Sequence, residues 1–508
     1  MLKPVVLFSK DPKDKPPKPP KPPKPPRDCD CSGGDCACGL PNLQNQLLLS
    51  DNVRSLDLMR YVCSPSSEQL KLDEEYVVCY GPFHPVTVLN KTAFSIFSSF
   101  KQPITIIQAR NIANELWGEE NANATIQKLI AANLLVPEGS TFELIEASKT
   151  LTAWLHITDR CNLRCTYCYL PHVRKDMSFS VGCAAIDATF RSATIHNYNH
   201  VRLKYAGGEA LLCFPRIVEL HEYGLKTAEK KGISVSGAIL TNGTLLTPEI
   251  AKSIQSLDLE LMISLDGIGK YHDQQRPYAG GHGTFEDVQC AVNAVLEIGL
   301  TPHISITVSG QNVAGLPELL SWVLDRKLPF SINFYRENEF SLSHKELLLD
   351  EEVMIRGMLN AYQVIKDRLP KYSLLSSIVD RADLSGPHNR TCGVGNNYLV
   401  FNYSGGVSKC QMHLNEVVAD AHEVDVLSVI RSDKKGVQNM LVEEKEGCRT
   451  CEWKYWCAGG CSLATFKATG RFDVKSPNCN IYKAIYPEAI RLEGLRLLKY
   501  YESGEATT

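Results

Sequence analysis

Three cysteines stand close together in the segment CNLRCTYCYL, directly after a strand-like apolar run over residues 153–158. They are Cys161, Cys165 and Cys168. Three thiolates at this spacing can bind three irons of a cubane [4Fe-4S] cluster, which leaves the fourth iron without a protein ligand and open to chemistry. The alternative is a structural zinc site, although zinc in such sites needs four ligands. His156 and His172 are near enough in the sequence to keep that alternative open.

Seven further cysteines recur near the C-terminus. Twelve residues separate Cys392 from Gly405, and four separate Gly405 from Cys410. After Cys448, the gaps between successive cysteines are two, five, three and seventeen residues. The seven are Cys392, Cys410, Cys448, Cys451, Cys457, Cys461 and Cys479. In a cytosolic protein such spacings indicate metal or redox sites rather than disulfides. A treble-clef or ribbon-like zinc domain is the alternative.

Both cysteine groups resemble those of radical S-adenosylmethionine (SAM) enzymes that carry a SPASM extension. The hallmark of that family is CxxxCxxC with an aromatic residue before the last cysteine, here Tyr167. The resemblance implies three [4Fe-4S] clusters and SAM, with the first three cysteines holding the SAM-cleaving cluster and about twelve irons in all. It also implies the ligands of the two auxiliary clusters, which are Cys392, Cys410 and Cys461 for the first and Cys448, Cys451, Cys457 and Cys479 for the second.

The first auxiliary cluster differs from that of some family members. Those members have a further cysteine six residues after the first, whereas Tyr398 stands at that position here. Three thiolates leave one iron of a cubane unligated. The resemblance therefore implies an open iron in this cluster, unless another residue such as His413 closes it.

Residues 151–345 alternate strand-like and helix-like segments, which is typical of parallel α/β architecture. The strand candidates are residues 151–158, 201–205, 234–240, 259–264, 303–308 and 330–334. Six repeats suit a partial (β/α)6 TIM barrel, which is the fold that the resemblance implies. Functional residues are then expected at the carboxyl ends of the strands.

The second strand candidate ends in the sequence AGGE. Gly207 and Gly208 would let the backbone approach a ligand closely, and Glu209 offers an acceptor for a cationic amine. The resemblance implies that this motif binds the methionine amine of SAM.

The next two strand candidates also end in polar residues. The third ends in TNG, which contains Asn242, and the fourth ends in SLDG. Ser264 and Asp266 are therefore expected to contact ribose or carboxylate oxygens, although an ordinary strand-to-loop turn is the alternative. Arg276 is a candidate carboxylate partner, because its guanidinium can bind both oxygens.

A small domain precedes the barrel. Residues 76–80 and 85–89 predict a hairpin, Asn90 can cap a first helix, and two further helices are expected over 105–117 and 124–135. This winged-helix-like α+β arrangement resembles the leader-peptide recognition elements of ribosomal-peptide maturation. It implies that the leader of a precursor peptide adds to an exposed strand edge, with a helix as the other wall of the groove. The alternative is a DNA-binding winged helix, but the third helix carries only Lys128 as a basic residue.

The N-terminal segment has a different composition. Lys15 to Arg27 is a Lys-Pro-Pro repeat, which predicts a polyproline II rod of roughly 40 Å. Two CxC pairs follow, formed by Cys29, Cys31, Cys36 and Cys38. They are interpreted as a disordered metal-scavenging segment, an auxiliary metal site or a fused, substrate-like peptide.

Length and composition limit the remaining possibilities. A chain of 508 residues predicts two to four domains, and the segments expected are 1–55, 56–145, 146–345, 346–390 (a bridging helical segment), 391–490 (SPASM) and 491–508 (a C-terminal helix and tail).

A net charge of -3 gives no global nucleic-acid footprint. Apolar runs fall short of the ~18 residues of a membrane helix, and the N-terminus is too weakly apolar for a signal peptide. A cytoplasmic location, with no nucleic-acid or membrane partner, is expected.

The resemblance implies a radical SAM maturase that takes hydrogen from a ribosomally synthesised peptide and installs a thioether between a cysteine sulfur and a carbon. A reducing partner such as flavodoxin or ferredoxin is implied as well. Carbon–carbon cross-linking and formylglycine formation, as in sulfatase activation, are alternatives within the same family. A zinc-dependent winged-helix regulator is the alternative from a different class.

Overall fold

The computed structural model describes residues 4–8, 43–47, 59–117, 119–146 and 148–503. The Lys-Pro-Pro repeat and the two CxC pairs lie outside the described residues.

The N-terminal part combines short strands with three helices. In chain order its elements are β1 (Val6–Phe8), β2 (Leu43–Leu47), β3 (Arg60–Cys63), β4 (Glu68–Lys71), β5 (Tyr76–Gly81), β6 (His84–Asn90), α1 (Lys91–Ser98), β7 (Ile104–Thr105), α2 (Ile106–Trp117), α3 (Glu119–Ala131), β8 (Leu135–Pro137) and β9 (Phe142–Glu146). The main antiparallel sheet has the order β1-β6-β5-β4. Smaller sheets join β7, β3 and β8, and β2 with β9.

The predicted hairpin is β5–β6, and Asn90 caps α1 as expected, since its Oδ1 accepts a hydrogen bond from the backbone N–H of Ala93 at 3.0 Å. Both edges of this hairpin are paired, β5 with β4 and β6 with β1. Among the described residues, the outer strands of this sheet are therefore β1 and β4. The strand that covers β6 comes from the start of the chain, so local sequence patterns do not reveal it.

The central part forms six parallel strands with intervening helices. In chain order its elements are β10 (Thr150–Thr158), α4 (Phe179–Ile195), β11 (His200–Gly207), α5 (Phe214–Lys231), β12 (Ser234–Thr241), α6 (Pro248–Ser256), β13 (Glu260–Ser264), α7 (Lys270–Asp273), α8 (Phe285–Glu297), β14 (His303–Val308), α9 (Leu316–Asp325) and β15 (Phe330–Phe334). Neighbours in the chain are neighbours in the sheet, and every pair is parallel. All nine residues of β10 are buried, as expected for a parallel strand that is covered on both faces. The six predicted strands are confirmed, and the sheet is barrel-like.

The C-terminal part extends the same sheet. Its elements are α10 (Glu351–Asp367), β16 (Tyr398–Phe401), β17 (Gly406–Ser408), β18 (Ala419–Asp420), α11 (Val426–Ser432), α12 (Lys454–Cys457), α13 (Ser462–Thr469) and α14 (Cys479–Glu502). Strand β16 pairs in parallel with β10, and β17 and β18 continue antiparallel. The cysteine-rich segment therefore shares one nine-stranded sheet with the barrel.

Two predicted boundaries in this part are wrong. The segment 346–390 is α-helical only over α10, because Pro370 disfavours helix at the residue before it and the chain then continues in turns. The boundary at 490/491 falls inside α14, which runs unbroken from Cys479 to Glu502.

Helix α14 ties the N-terminal sheet to the rest of the molecule. It contacts β1, β5 and β6, and Val78 and Val88 belong to the same apolar core as the barrel strands. The ring of Tyr80 stacks on that of Trp453 with centroids 5.7 Å apart. Among the described helices, none combines the length and apolar character needed to cross a bilayer.

Candidate functional site

The loop after β10 carries the first three cysteines and is held against the segment that follows α7. The backbone N–H of Arg164 donates to the carbonyl of Pro277 at 2.8 Å, and that of Thr166 donates to Gln275 at 2.9 Å. The side chain of Leu163, the residue before Arg164, is fully buried. Backbone contacts with a second loop thus fix the course of the cysteine loop.

The thiols of this loop lie in an environment of low polarity. Burial raises the pKa of the Cys161 and Cys168 thiols to about 12 and also raises the pKa of the Cys165 thiol. The amide Nδ2 of Asn242 lies 4.0 Å from Cys161 Sγ, and Arg276 is the nearby cation that favours the thiolate of Cys165. A bound cation would favour the thiolate form of all three.

The two glycines after β11 allow a very close backbone contact. A Cβ on Gly207, whose φ is +151°, would lie 2.3 Å from the carbonyl oxygen of Thr158, and one on Gly208 would lie 2.2 Å from that of Arg160. The N–H of Gly208 donates to Thr158 at 2.7 Å, and the N–H of Glu209 donates to Arg160 at 2.8 Å. The backbone they approach is the start of the cysteine loop, so they help to position the cysteines; contact with a ligand stays a prediction.

The carboxylate of Glu209 joins the ends of two strands. It is fully buried and accepts hydrogen bonds from the N–H of Leu211 at 2.8 Å, the hydroxyl of Thr241 at 2.7 Å and the N–H of Asn242 at 2.7 Å. Burial raises its pKa, and these donors oppose that change. The predicted acceptor is present, with three of its hydrogen-bonding positions filled by the protein.

Asp266, Arg276 and Tyr167 form a buried polar cluster. The hydroxyl of Tyr167 donates to Asp266 Oδ2 at 2.5 Å. Arg276 Nη1 donates to the Tyr167 hydroxyl and lies 3.5 Å from Asp266 Oδ2. Asp266 Oδ1 accepts from the N–H of Thr307 at 2.8 Å. Burial raises the pKa of Asp266, whereas Arg276 opposes this shift. Asp266 and Arg276 were expected to contact ligand oxygens, but here they pair with each other and with Tyr167.

Asn242 and Ser264 also lie at this edge of the sheet. Asn242 Nδ2 donates to Asn162 Oδ1 at 2.9 Å, which links the end of β12 to the cysteine loop. Ser264 is the last residue of β13 and is half-buried. The sequence did not predict the bond from Asn338 Nδ2 to the carbonyl of Tyr167 at 3.0 Å, since it joins residues far apart in the chain.

Three of the C-terminal cysteines pack in one small apolar cluster beside the barrel. They are Cys392, Cys410 and Cys461. The cluster also contains Trp154 of β10 and Ala206 of β11. Burial raises the pKa of Cys410 to about 12. For Cys461 burial also acts to raise the pKa, but the cations Arg336 and Arg381 lower it overall.

The remaining four C-terminal cysteines line one pocket. They are Cys448, Cys451, Cys457 and Cys479. Tyr482 and Tyr486 form part of the wall of this pocket. The resemblance groups the same four residues as ligands of one auxiliary cluster.

A network of buried polar groups lies between these two cysteine groups. Arg336, which follows β15, donates to Asp380 Oδ1 at 2.6 Å, and the hydroxyl of Tyr482 donates to Asp380 Oδ2 at 2.7 Å. Arg336 is one of the cations beside Cys461, and Tyr482 lines the other pocket. Three side chains thus connect the two groups, and no local sequence pattern predicts their contact.

Comparison with known proteins identifies the central domain. The model of the Radical SAM superfamily matches residues 155–323, which begin in β10 and end in α9. The chain carries a radical SAM domain. The match includes all three cysteines of the loop after β10 and the whole segment from Gly207 to Arg276.

Curated relatives cover parts of the chain. An uncharacterised protein of Methanocaldococcus jannaschii is 30% identical over 171 residues, which are 34% of this chain and 57% of that protein. The chain thus spans little more than half the length of that relative. A cysteine-type anaerobic sulfatase-maturating enzyme of Clostridium perfringens is 21% identical over 340 residues, which are 59% of this chain and 85% of the enzyme.

Among solved structures, anSMEcpe with bound AdoMet and Cp18Cys peptide has a TM-score of 0.55 at 18% identity. The match covers 70% of this chain and 100% of that chain. At this level of identity, the likeness establishes a common fold.

The residues of the radical SAM domain fit a cubane cluster. Among the described residues, no three His, Cys, Asp or Glu side chains converge on a point that would hold one metal ion. A cubane does not require such convergence, because each thiolate binds a different iron. The three half-buried cysteines of the loop and the pocket lined by four cysteines are donor sets of the kind that [4Fe-4S] clusters use.

Proposed function

We propose that this protein is a radical SAM maturase that takes hydrogen from a ribosomally synthesised peptide and installs a thioether cross-link. The observation that carries the proposal is the position of two cysteine triads on the same pair of strands. One triad, with Cys161, follows β10 and is seated on the glycine turn after β11. The other, with Cys392, packs against Trp154 and Ala206 of these strands.

The first triad is the proposed site of the SAM-cleaving cluster. Bound there and reduced by a partner such as flavodoxin or ferredoxin, a [4Fe-4S] cluster with SAM supplies a 5'-deoxyadenosyl radical. Asn242 holds the cysteine loop to β12, and Gly207 and Gly208 hold it to β11. The protein thereby orients the donor set before SAM binds.

Glu209 is the proposed acceptor for the methionine amine of SAM. A carboxylate has about four acceptor positions, and three donors from the protein already use Glu209. The remaining position suits one N–H of an ammonium group. Ser264 and Asp266 are proposed to contact the ribose or carboxylate oxygens, with Arg276 fixing the Asp266 side chain.

The thioether assignment rests on the second triad. Three thiols leave one iron of a cubane without a cysteine ligand, and the two residues considered as a fourth ligand each lie close to another polar side chain. The hydroxyl of Tyr398 donates to Gln411 at 3.0 Å within the core, and His413 pairs with Glu416 at 2.8 Å. An open iron would favour the thiolate of a substrate cysteine and bring it near the carbon radical.

Formylglycine formation is the second candidate. The sulfatase-maturating enzyme of Clostridium perfringens is matched over 85% of its length, which favours this reaction over carbon–carbon cross-linking. The two candidate products differ in composition. A thioether removes one hydrogen atom, one proton and one electron from the peptide for each bond. Formylglycine from cysteine also loses two hydrogens, but in addition its sulfur is replaced by oxygen.

Mass spectrometry of a defined peptide tests the proposal. The probe is a synthetic peptide of residues 1–40, which contains the four cysteines of the two CxC pairs, incubated anaerobically with reconstituted enzyme, SAM and dithionite. Loss of two hydrogens per bond, with carbon–sulfur connectivity in the fragment spectra, is expected. Loss of two hydrogens together with replacement of sulfur by oxygen would establish the second candidate instead, and an unmodified peptide alongside SAM cleavage would reject this peptide as a substrate.

A further inference from the structure

The start of the chain forms an extra strand on the N-terminal sheet. Strand β1 runs antiparallel to β6, with Val6 opposite Leu89, Leu7 opposite Val88 and Phe8 opposite Thr87. The hairpin β5–β6, its neighbour β4 and the three helices that follow form a continuous piece of chain without it. Strand β1 is therefore added to this unit from a distant part of the sequence.

Asn90 binds both backbone polar groups of Val5, the residue before β1. Its N–H donates to the carbonyl of Val5 at 3.2 Å, and its side-chain oxygen accepts from the N–H of Val5 at 3.0 Å. The same side-chain oxygen caps helix α1. The Asn90 side chain that binds Val5 is thus also held in place by its hydrogen bond to the first turn of α1.

The side chains of β1 alternate between two surfaces, as those of a strand must. Val6 is only 5% exposed and packs in the core of the N-terminal domain, together with Ile126 and Leu129 of α3. Phe8 packs against the same core, whereas Leu7 packs against the main core of the molecule. Strand β1 therefore lies in a groove with β6 as one wall and α3 as another.

This is the geometry by which a sheet recognises an extended peptide. The backbone ladder of an edge strand supplies affinity, and pockets for alternate side chains supply specificity. The edge of β6, with α3 beside it, is a strand edge and helix wall of the kind that the resemblance implies for the leader of a substrate. In this structure the chain's own residues 5–8 occupy that edge.

We propose that Val6–Phe8 is a built-in recognition strand, so that the chain carries its own leader in the site where the leader of a separate peptide would bind. This inference rests on the proposed peptide-binding role of the N-terminal domain. In the sequence, the strand comes first and the four cysteines of the CxC pairs follow the Lys-Pro-Pro repeat. That is the order of leader before cysteines that a thioether maturase needs in its substrate.

The tether makes the built-in strand a strong competitor. A linked segment acts at an effective concentration on the order of a millimolar. A separate peptide that binds the free groove with micromolar affinity must displace it. If the built-in strand binds the groove with the same micromolar affinity, the apparent affinity of the separate peptide for the intact chain is lower by a factor of roughly 1000, the ratio of the effective concentration to the dissociation constant.

Fluorescence anisotropy tests the proposal with a fluorescein-labelled peptide of residues 1–12 as the probe. The full-length variant Val6→Asp places a charge in a buried position, which should release β1 and open the groove. The matched control is Gln69→Asp, which introduces the same charge at an exposed position of the outer strand β4. We expect the Val6→Asp protein to bind the probe at least about tenfold more tightly than the wild type and the Gln69→Asp protein do.

Hydrogen exchange of the hairpin shows whether the variant remains folded. In the Val6→Asp protein, β6 amides should lose protection and regain it when the probe is added, while β5 amides stay protected. Equal probe binding by all three proteins with β5 protected would overturn the proposal. Loss of protection in β5 that the probe does not restore would make β1 an integral strand and would also overturn it. Neither measurement needs iron or SAM, so both are independent of the proposed chemistry.

Discussion

Replacing Gly208 with alanine tests whether the turn after β11 positions the cysteine loop. The new Cβ would lie 2.2 Å from the carbonyl oxygen and 2.7 Å from the carbonyl carbon of Arg160. Both are backbone atoms, so no side chain can rotate away. The φ of Gly208 is not in the left-handed region, and the effect of the substitution is therefore steric.

The size of this effect follows from two contributions. Forcing a methyl group into filled space costs about 1–3 kcal/mol. The displaced carbonyl also accepts the hydrogen bond of Glu209 N–H at 2.8 Å, and the loss of such a bond adds about 1 kcal/mol. The total of about 2–4 kcal/mol corresponds to a fall in melting temperature of roughly 6–12 °C, at ~3 °C per kcal/mol.

The matched control is Gly386→Ala, since a Cβ at Gly386 would meet no atom within 4 Å and the residue has no positive φ. Differential scanning fluorimetry and iron analysis of both variants are the assays. We expect Gly386→Ala to match the wild type, and Gly208→Ala to melt earlier and to lose up to about four irons, those of the first cluster. If Gly208→Ala melted with the control and kept all its iron, the glycine turn would not position the loop.

Three further predictions follow from single features. Asp380→Asn should lower the free energy of unfolding by about 3–5 kcal/mol, because the buried Arg336 loses its ionic partner. The control is Asp367→Asn on the exposed side of α10, and equal melting temperatures of the two variants would contradict the prediction. Burial lowers the pKa of His221 to about 4 from 6.5, so the unfolded chain binds a proton between these pH values that the folded chain does not. Stability should therefore fall by up to about 3 kcal/mol as the pH drops from 6.5 to 4, and in His221→Gln this slope should be reduced in urea titrations, whereas an unchanged slope would exclude His221 as its source. Replacing the four cysteines of the CxC pairs, Cys29, Cys31, Cys36 and Cys38, by serine should leave the iron content unchanged. A fall in iron content would make these cysteines cluster ligands.

The parts of the fold that depend on local patterns were predictable from the sequence. The strands from β10 to β15 are apolar runs separated by helices, and Asn90 stands directly before an apolar-periodic segment. The placement of the cysteine loop after β10, with the glycine turn one repeat later, follows from the order of these elements.

The features that join distant segments were not predictable in this way. Strand β1 pairs with β6 across more than 70 residues, and β16 joins the barrel sheet at the edge of β10. Asp266 was expected to face a ligand because it stands after a strand, and Arg276 because its guanidinium can bind both oxygens of a carboxylate. Their mutual pairing through Tyr167 depends on how the loops fold together, which spacing alone does not specify.

The most direct test of the account is the reductive cleavage of SAM. Anaerobically reconstituted enzyme is incubated with SAM and dithionite, and 5'-deoxyadenosine is measured by chromatography, with the Cys161→Ala, Cys165→Ala and Cys168→Ala triple variant as the control. We predict about twelve irons per chain and 5'-deoxyadenosine from the wild type, and about four fewer irons and no product from the triple variant. A wild-type protein that binds stoichiometric zinc, takes up no iron and forms no 5'-deoxyadenosine would contradict the account.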